Sequence, residues 1–149
     1  MLPVLSDDEL YEYTGGGPPQ STADLAAWFG ALESRKSPAG EELWLTWLLF
    51  KIEGHTALGY VQATVRHNAA EIAWLVGSAW QGTGYASEAA SALTAWLTTN
   101  KLNRISASIH PDHLASHRVA QAAGLSNSGQ IKHGEQVWLM KVPASSARL

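Results

Sequence analysis

The chain has 149 residues, a net charge of −3 and no cysteine, with 46% hydrophobic and 15% charged residues. This length and composition predict one globular domain and exclude an intrinsically disordered chain. The lack of cysteine excludes a disulfide framework and a catalytic thiol, and the lack of a basic block argues against nucleic acid as a partner.

The start of the chain and its apolar runs bear on targeting. Asp7, Asp8 and Glu9 stand where a signal peptide would be basic and then apolar, so we expect no export. The longest apolar run, residues 43–50, is interrupted by Thr46 and is far too short to span a bilayer. We therefore expect a cytoplasmic protein with no membrane partner.

The first half of the chain reads as two helices followed by three strands. Ser6 can cap the first helix, because acidic residues follow it in the first turn, where the helix dipole favours them. The second helix opens at Ser21 or Thr22. The strand segments are rich in branched and aromatic residues. The predicted helices cover residues 6–13 and 21–34, and the predicted strands cover 43–52, 58–65 and 71–76.

The second half alternates helices and strands. Small and apolar residues recur at helical spacing after residue 86, and Gly124 ends a later helical segment. The predicted helices cover residues 87–100 and 114–123, and the predicted strands cover 105–109 and 136–142. Strands before, between and after paired helices favour an α/β or α+β sandwich. We expect the domain to occupy residues 1–143 and residues 144–149 to form a flexible tail.

A glycine-containing loop joins the third strand to the next helix and is the most informative stretch of the sequence. It consists of Gln81, Gly82, Thr83, Gly84, Tyr85 and Ala86. Its backbone N–H groups lie at the positive end of a helix dipole, which makes the loop a predicted anion site. A nucleotide-triphosphate loop would need a lysine followed by Ser or Thr after the last glycine, and a dinucleotide fingerprint would need a third glycine at Ser87. The sequence satisfies neither pattern.

The spacing of four residues around this loop matches a known family. Val76, Gln81, Gly84 and Ala86 reproduce the pattern V-x-x-x-x-Q-x-x-G-x-A. The loop therefore resembles the acyl-CoA pyrophosphate loop of the GNAT N-acetyltransferase superfamily. The wider run 70–124 resembles the ribosomal-protein-alanine N-acetyltransferase-like branch, which also contains enzymes for small amines. The resemblance implies a mixed, mostly antiparallel sheet flanked by helices, with acetyl-CoA as co-substrate.

The resemblance also implies roles for individual residues. The strand before the loop would splay from its neighbour, so that backbone groups of Trp74, Leu75 and Val76 bind the pantetheine arm and polarise the acetyl carbonyl. The loop residues would bind the pyrophosphate. Ser116 matches the family serine that can protonate the leaving thiolate, and His113 stands where the family has a cofactor-binding asparagine.

The general base is predicted from position alone. Glu71 heads the strand that enters the site, from which its carboxylate could take the amine proton through a water molecule. His67 is a second candidate. His113 and His117 lie four residues apart, the spacing of a metal pair, but no cysteine or adjacent glutamate completes a zinc set, and we predict no metal.

Two functions remain open at this point. The first is acetyl transfer to a primary amine, either a protein N-terminus or a small molecule, by direct attack in a ternary complex. The second is a non-catalytic CoA-binding regulatory module on the same fold. A zinc hydrolase is a third reading that would require stoichiometric metal.

The start of the chain departs from the family. The family usually opens with an edge strand, and residues 1–5 are too few to form one. Either this strand is missing or the real start lies upstream. Residues 43–52 would then become a long, apolar, proline-free sheet edge, which tends to pair with another chain. We expect either a two-fold dimer through this edge or its coverage by residues 1–5.

Overall fold

The computed structural model describes residues 1–13 and 16–141. The predicted tail, residues 144–149, and the end of the predicted domain at residue 143 lie outside this part. The α-helices are α1 (Leu2–Leu5), α2 (Thr22–Leu32), α3 (Tyr85–Thr99) and α4 (Leu114–Ala122). The strands are β1 (Leu43–Phe50), β2 (Ala57–Arg66), β3 (Ala69–Val76), β4 (Arg104–Ile109), β5 (Ser126–Lys132) and β6 (Glu135–Lys141). Short 3₁₀ turns cover Asp8–Tyr11 and Ser78–Trp80.

The six strands form one sheet in the order β1-β2-β3-β4-β6-β5. Every neighbouring pair is antiparallel except β3 and β4. The predicted fold class, a mixed and mostly antiparallel sheet flanked by helices, is confirmed.

Each face of the sheet carries its own apolar core. The larger core packs α3 and α4 on one face, with the Leu97 and Ile105 side chains fully buried. The smaller core packs the N-terminal segment and α2 on the other face, where Leu5 and Leu25 meet Leu75 of β3. The alternation along β3 sends neighbouring side chains into opposite cores and holds this strand in the centre of the sheet.

The pairing of β3 with β4 ends early. Only Ala69, Ala70 and Glu71 pair with β4, opposite Arg104, Ile105 and Ser106. Residues 72–76 continue alongside β2, with Val76 opposite Gly59, but have no partner on β4. The second half of β3 therefore splays from β4 and leaves a cleft in the middle of the sheet.

The N-terminal segment differs from the prediction. A helix over residues 6–13 was expected with Ser6 as its cap, but the α-helix lies earlier, at Leu2–Leu5, and a 3₁₀ turn follows at Asp8–Tyr11. The Ser6 hydroxyl instead donates to the Leu2 carbonyl, and the Asp7 carboxylate accepts from the Glu9 N–H at 3.0 Å. The Asp7 cap starts a new turn and so separates α1 from the 3₁₀ turn at Asp8–Tyr11.

Strand β5 was not predicted. Every residue of Ser126–Lys132 is exposed, so the segment carries no apolar alternation that sequence analysis could detect. It exists because it pairs with β6 across a tight turn. His133 and Gly134 hold that turn with φ values of 52° and 80°, the left-handed pair that a two-residue hairpin requires.

Strand β1 lies at one edge of the sheet, as predicted for residues 43–52. Before Leu43, the described residues contribute to pairing only an isolated bridge from Lys36. The expectation that residues 1–5 cover this edge is wrong. They form α1, which packs in the smaller core with Leu75 and Tyr11, because Leu5 is apolar and finds a buried site there.

Candidate active site

The splay of β3 from β4 opens into a cavity of about 620 Å³. Four segments surround it: the end of β3, the glycine loop with the start of α3, the first turns of α4, and the N-terminal 3₁₀ turn. Ten predicted site residues lie in these segments and line this one cavity. Those that line the cavity are Trp74, Leu75, Val76, Gln81, Gly82, Gly84, Tyr85, Ala86, His113 and Ser116.

The glycine loop presents bare backbone to the cavity. Gly82 and Gly84 have φ values of 76° and 90°, in the left-handed region that favours glycine. A Cβ atom at either position would meet no heavy atom within 4 Å, so open space lies beside both. Within residues 1–13 and 16–141, no acceptor pairs with the N–H groups of residues 82–87. These donors lie at the N-terminus of α3, where the helix dipole adds to their attraction for an anion.

Side chains hold the loop in shape without filling the cavity. The Gln81 Nε2 group donates to the Val76 carbonyl at 3.0 Å and ties the loop to the end of β3. The Thr83 hydroxyl donates to the Trp80 carbonyl, and Thr83 is the loop residue that does not line the cavity. Arg118 of α4 also lines the cavity and brings a cation to the same space.

Ser116 lies between two ring nitrogens. The Trp74 indole donates from Nε1 to the Ser116 Oγ atom at 3.1 Å, and the same Oγ lies 3.3 Å from the His113 Nε2 atom. Ser116 is only 7% exposed, so this network is largely shielded from water. Because indole is a donor only, the Ser116 hydroxyl keeps its own hydrogen for another acceptor.

The ring of His113 stacks on Tyr13 with centroids 4.9 Å apart. Burial lowers the pKa of His113, nearby His117 and His110 lower it further, and Glu12 acts in the opposite direction. The pKa of the Tyr13 hydroxyl is raised, first by the negative charge of Glu12. The imidazole at the predicted asparagine position is thus built into the wall and favours its neutral form.

The two predicted base candidates lie away from the cavity. Glu71 is exposed near the start of β3, where it is opposite Thr64 and Ser106, and alternates with the residues that face α3. His67 lies in the turn before β3, with a φ of 56°. The cavity opens at the other end of this strand. The structure does not bring either side chain into the cavity wall, and the base assignment stays a prediction.

The N-terminal segment supplies a wall that sequence analysis did not predict. Leu10, Tyr13 and the two carboxylates of Glu9 and Glu12 line the cavity. The segment is fixed to the site by the Ser78 hydroxyl, which donates to Asp7 Oδ2 at 2.6 Å. In the sequence, this wall is indicated only by the short run of acidic and aromatic residues at 7–13, and the same run is equally typical of an exposed helix turn.

The histidines near the cavity have separate partners. His117 Nε2 is 3.1 Å from the His110 carbonyl, and its ring packs against Trp138. The backbone N–H of Asp112 donates to His110 Nδ1. In the part of the chain that the structure describes, no three His, Asp or Glu side chains converge as metal ligands.

Four tryptophans of the sheet and α2 fall into three groups. Trp74 lines the main cavity. Trp28 and Trp44 line a smaller cavity of about 230 Å³ between α2 and the β1-β2 pair. Trp47 packs edge-on against Trp96 at 5.4 Å between ring centroids, on the other face of the sheet.

Comparison with known proteins gives the family. A sequence model of the acetyltransferase (GNAT) domain matches residues 1–126. The chain belongs to the GNAT acetyltransferase family. The predicted family and the predicted enzyme class, an acetyltransferase, are confirmed. No curated protein sequence matches the chain.

Solved GNAT structures share the fold over nearly the whole chain. A GNAT-family acetyltransferase from Bacillus anthracis is 22% identical with a TM-score of 0.75, covering 95% of this chain and 86% of the other. The spermidine N-acetyltransferase of Vibrio cholerae, solved with CoA and spermine, is 14% identical with a TM-score of 0.69 over 95% and 86% of the two chains. A candidate ribosomal-protein-serine acetyltransferase from Vibrio cholerae is 17% identical with a TM-score of 0.60 over 80% and 72%.

No helix among the described residues is long and apolar enough to cross a bilayer.

Proposed function

We propose that this GNAT domain transfers an acetyl group from acetyl-CoA to a primary amine, by direct attack of the amine in a ternary complex. The observation that carries the proposal is the cleft between β3 and β4, which runs from unpaired strand backbone to the loop of free N–H groups at the start of α3. An elongated ligand with an anionic group in its middle fits such a cleft. CoA has this form, and the Vibrio cholerae spermidine acetyltransferase was solved with CoA bound.

Each part of the reaction has a candidate group on the cavity wall. The pyrophosphate would accept bonds from the N–H groups of residues 82–87, beside the Arg118 cation. The backbone of β3 at Trp74 to Val76, which has no partner on β4, would hold the pantetheine arm and polarise the thioester carbonyl. The Ser116 hydroxyl, buried next to Trp74, would face the departing sulfur.

The acceptor follows from the carboxylates on the opposite wall. Glu9 and Glu12 place negative charge at the cavity, which favours an amine that arrives as a cation. Both a peptide N-terminus and a small polyamine meet this requirement. A water molecule or one of these carboxylates could remove the amine proton, and Glu71 could act only through a longer chain of water molecules.

Binding and turnover can be tested in sequence. Acetyl-CoA should raise the melting temperature in a thermal-shift titration, and release of free thiol should follow when amines are added. The panel should contain peptides with free N-termini, polyamines and aminoglycosides. Stabilisation by acetyl-CoA with no thiol release on any of them would contradict acetyl transfer to these amines and favour the non-catalytic CoA-binding module. An unchanged melting temperature with acetyl-CoA would contradict both functions.

The proposal also covers self-association and location. Strand β1 is long and free of proline, and beyond the bridge of Lys36 to Leu43 its outer side has no strand partner among the described residues. Its Leu48 and Phe50 side chains are exposed. A second copy of the chain is the partner whose own β1 would satisfy this edge by two-fold antiparallel pairing. A cytoplasmic location, where acetyl-CoA and amines are both present, remains part of the proposal.

A further inference from the structure

A serine hydroxyl is a much weaker acid than a thiol. If Ser116 alone gave its proton to a thiolate, it would be left as an alkoxide, which is the less stable anion of the two. Efficient proton donation requires an acid whose pKa lies near the working pH. A second group must therefore supply Ser116 with a proton while the sulfur takes one.

The geometry points to a single source for that proton. We propose that His113 passes its Nε2 proton to the Ser116 oxygen as Ser116 gives its own to the departing thiolate. The Ser116 Oγ atom lies 3.3 Å from His113 Nε2 and accepts a bond from the Trp74 indole at 3.1 Å. This relay rests on the proposed acetyl transfer, because it needs the thioester to lie beside Trp74.

The step balances. The amine nitrogen bonds to the acetyl carbon and gives its extra proton to water or a cavity carboxylate. The C–S bond then breaks and its electron pair goes to sulfur. Sulfur takes the hydroxyl hydrogen of Ser116, the Ser116 oxygen takes the Nε2 proton of the His113 imidazolium, and His113 ends as a neutral imidazole. Solvent then restores its proton before the next turnover. His113 acts through Ser116 and is a positioning and proton-supplying residue rather than one that touches the substrate.

Neighbouring groups adapt His113 to this role. Tyr13 stacks on the ring, which fixes its plane, and Ser116 sits one helical turn further along α4. The charged and titratable groups that face the ring or surround it are Glu12 and Tyr13 from the N-terminal segment, His110 after β4, and Asp112, His117 and Arg118 near or on α4. Burial is the main cause of the lowered pKa of His113 and favours the neutral ring. The smaller protonated fraction, which the relay uses, is for the same reason the stronger acid and gives up its proton readily.

The expected pH profile follows from this acid role. The relay needs protonated His113, so turnover must fall as pH rises through the His113 pKa. Deprotonation of the amine acts in the opposite direction. Wild-type kcat should therefore give a bell-shaped profile, and removal of His113 should eliminate its falling limb.

The principal variant is His113→Asn. Residue 113 is the N-cap of α4 and makes no side-chain cap bond, and asparagine is a favoured N-cap, so this variant should fold. We expect unchanged acetyl-CoA affinity, a kcat at least tenfold lower and loss of the falling limb. His110→Asn is the matched control, because His110 also packs on Tyr13 but does not contact Ser116. It should keep the wild-type kcat and a falling limb, which moves towards higher pH because His110 no longer lowers the pKa of His113.

Two further measurements separate the relay from a structural role. Added imidazole should restore part of the lost kcat to His113→Ala, which it would not do if the ring only supported the fold. In NMR titrations, the midpoint of the His113 titration should differ between the wild type and Ser116→Ala. An active His113→Asn variant with wild-type kcat and an intact falling limb would overturn the relay alone. A wild-type protein that acetylates no amine would overturn the proposed function and the relay together.

Discussion

Trp74 of β3 and Ser116 of α4 are 42 residues apart in sequence and joined by a hydrogen bond of 3.1 Å across the cleft. The bond connects the splayed strand to the helix that faces it, at the level where the sheet opens. Because Ser116 accepts from the indole, its hydroxyl hydrogen is left to point elsewhere. The position of the Ser116 oxygen is thus set by the fold.

Replacement of Ser116 by alanine should lower kcat and leave acetyl-CoA affinity near wild type. This is the pattern expected when an interaction forms mainly in the transition state. The lost acceptor also leaves the Trp74 N–H unpaired, which costs about 1–3 kcal/mol if no water replaces it. Steady-state kinetics, acetyl-CoA titration and thermal unfolding measure the three effects.

Ser91→Ala is the control for this change. Ser91 also bonds to α4, through the Ala122 carbonyl, but it is half-buried and does not line the cavity. Its kcat should equal that of the wild type. If Ser116→Ala also kept wild-type turnover on the best amine found, Ser116 would have no part in the chemistry.

Replacement of Gly84 by a residue with a side chain should weaken acetyl-CoA binding. Gly84→Val would place a branched group in the open space beside the loop, so acetyl-CoA affinity should fall at least tenfold, about 1.4 kcal/mol. The left-handed φ of 90° at this position adds strain, so some loss of melting temperature is also expected.

Gly129→Val separates strain from binding. Gly129 has a φ of 81° and equally open space around it, but it lies on β5 rather than at the cavity. Both variants should lose stability, and only Gly84→Val should lose affinity in a calorimetric titration. Normal affinity in a folded Gly84→Val protein would refute the pyrophosphate role of this loop.

The bond between Gln81 and Val76 should hold the loop in its binding shape. Gln81→Leu removes the donor to the Val76 carbonyl while keeping the side-chain volume similar. A hydrogen bond of this kind contributes about 0.5–1.5 kcal/mol, so acetyl-CoA affinity should fall by roughly threefold to tenfold. The loop N–H groups should exchange faster with solvent deuterium in the variant. Wild-type affinity and exchange rates would show that the loop keeps its shape without this bond.

Attachment of the N-terminal segment should depend on pH. The hydrogen bond from Ser78 is the main cause of the lowered Asp7 pKa, and the Glu9 N–H contributes. A lowered folded-state pKa stabilises the fold above the unfolded value of 3.8 and loses that effect as pH falls through the folded pKa. The difference in unfolding free energy between wild type and Ser78→Ala should therefore shrink below pH 3.8.

The control for the pH experiment is Ser6→Ala. Ser6 also donates a hydrogen bond in the N-terminal segment, but to the Leu2 carbonyl, which does not titrate. The difference in unfolding free energy between wild type and Ser6→Ala should therefore be the same above and below pH 3.8. A Ser78→Ala difference that stays constant with pH would show that the Asp7 charge does not contribute.

Self-association through β1 should be sensitive to charge. Leu48 is 40% exposed on this edge strand, and Leu48→Lys should favour the monomer because lysine on an edge opposes pairing. Ile131→Lys is the matched control, since Ile131 is 62% exposed on β5 at the opposite edge of the sheet. Light scattering at low-micromolar concentration should find a dimer for wild type and Ile131→Lys. A monomeric wild-type protein would refute the dimer.

The sequence alone determined the features that depend on local chemistry. The loop at Gly84 was recognisable because two glycines between a strand and a helix meet a backbone requirement that few other residues satisfy. Helix α3 followed from the helical spacing of its apolar residues, and strands β1 to β3 followed from their content of branched and aromatic residues. It was also visible that residues 1–5 are too few to form a strand, and Leu2–Leu5 form a helix instead.

Only the tertiary structure decided which distant groups meet. The contact of Ser116 with Trp74 and His113 depends on how α4 docks against the splayed sheet, and the wall formed by Glu9, Glu12 and Tyr13 depends on the burial of Leu5. Neither the Ser116 contacts nor this wall can be recognised from a local sequence pattern, because both are stabilised by packing between segments that are far apart in the chain. Strand β5 is the same case: its exposed polar residues carry no pattern, and pairing with β6 alone makes it a strand.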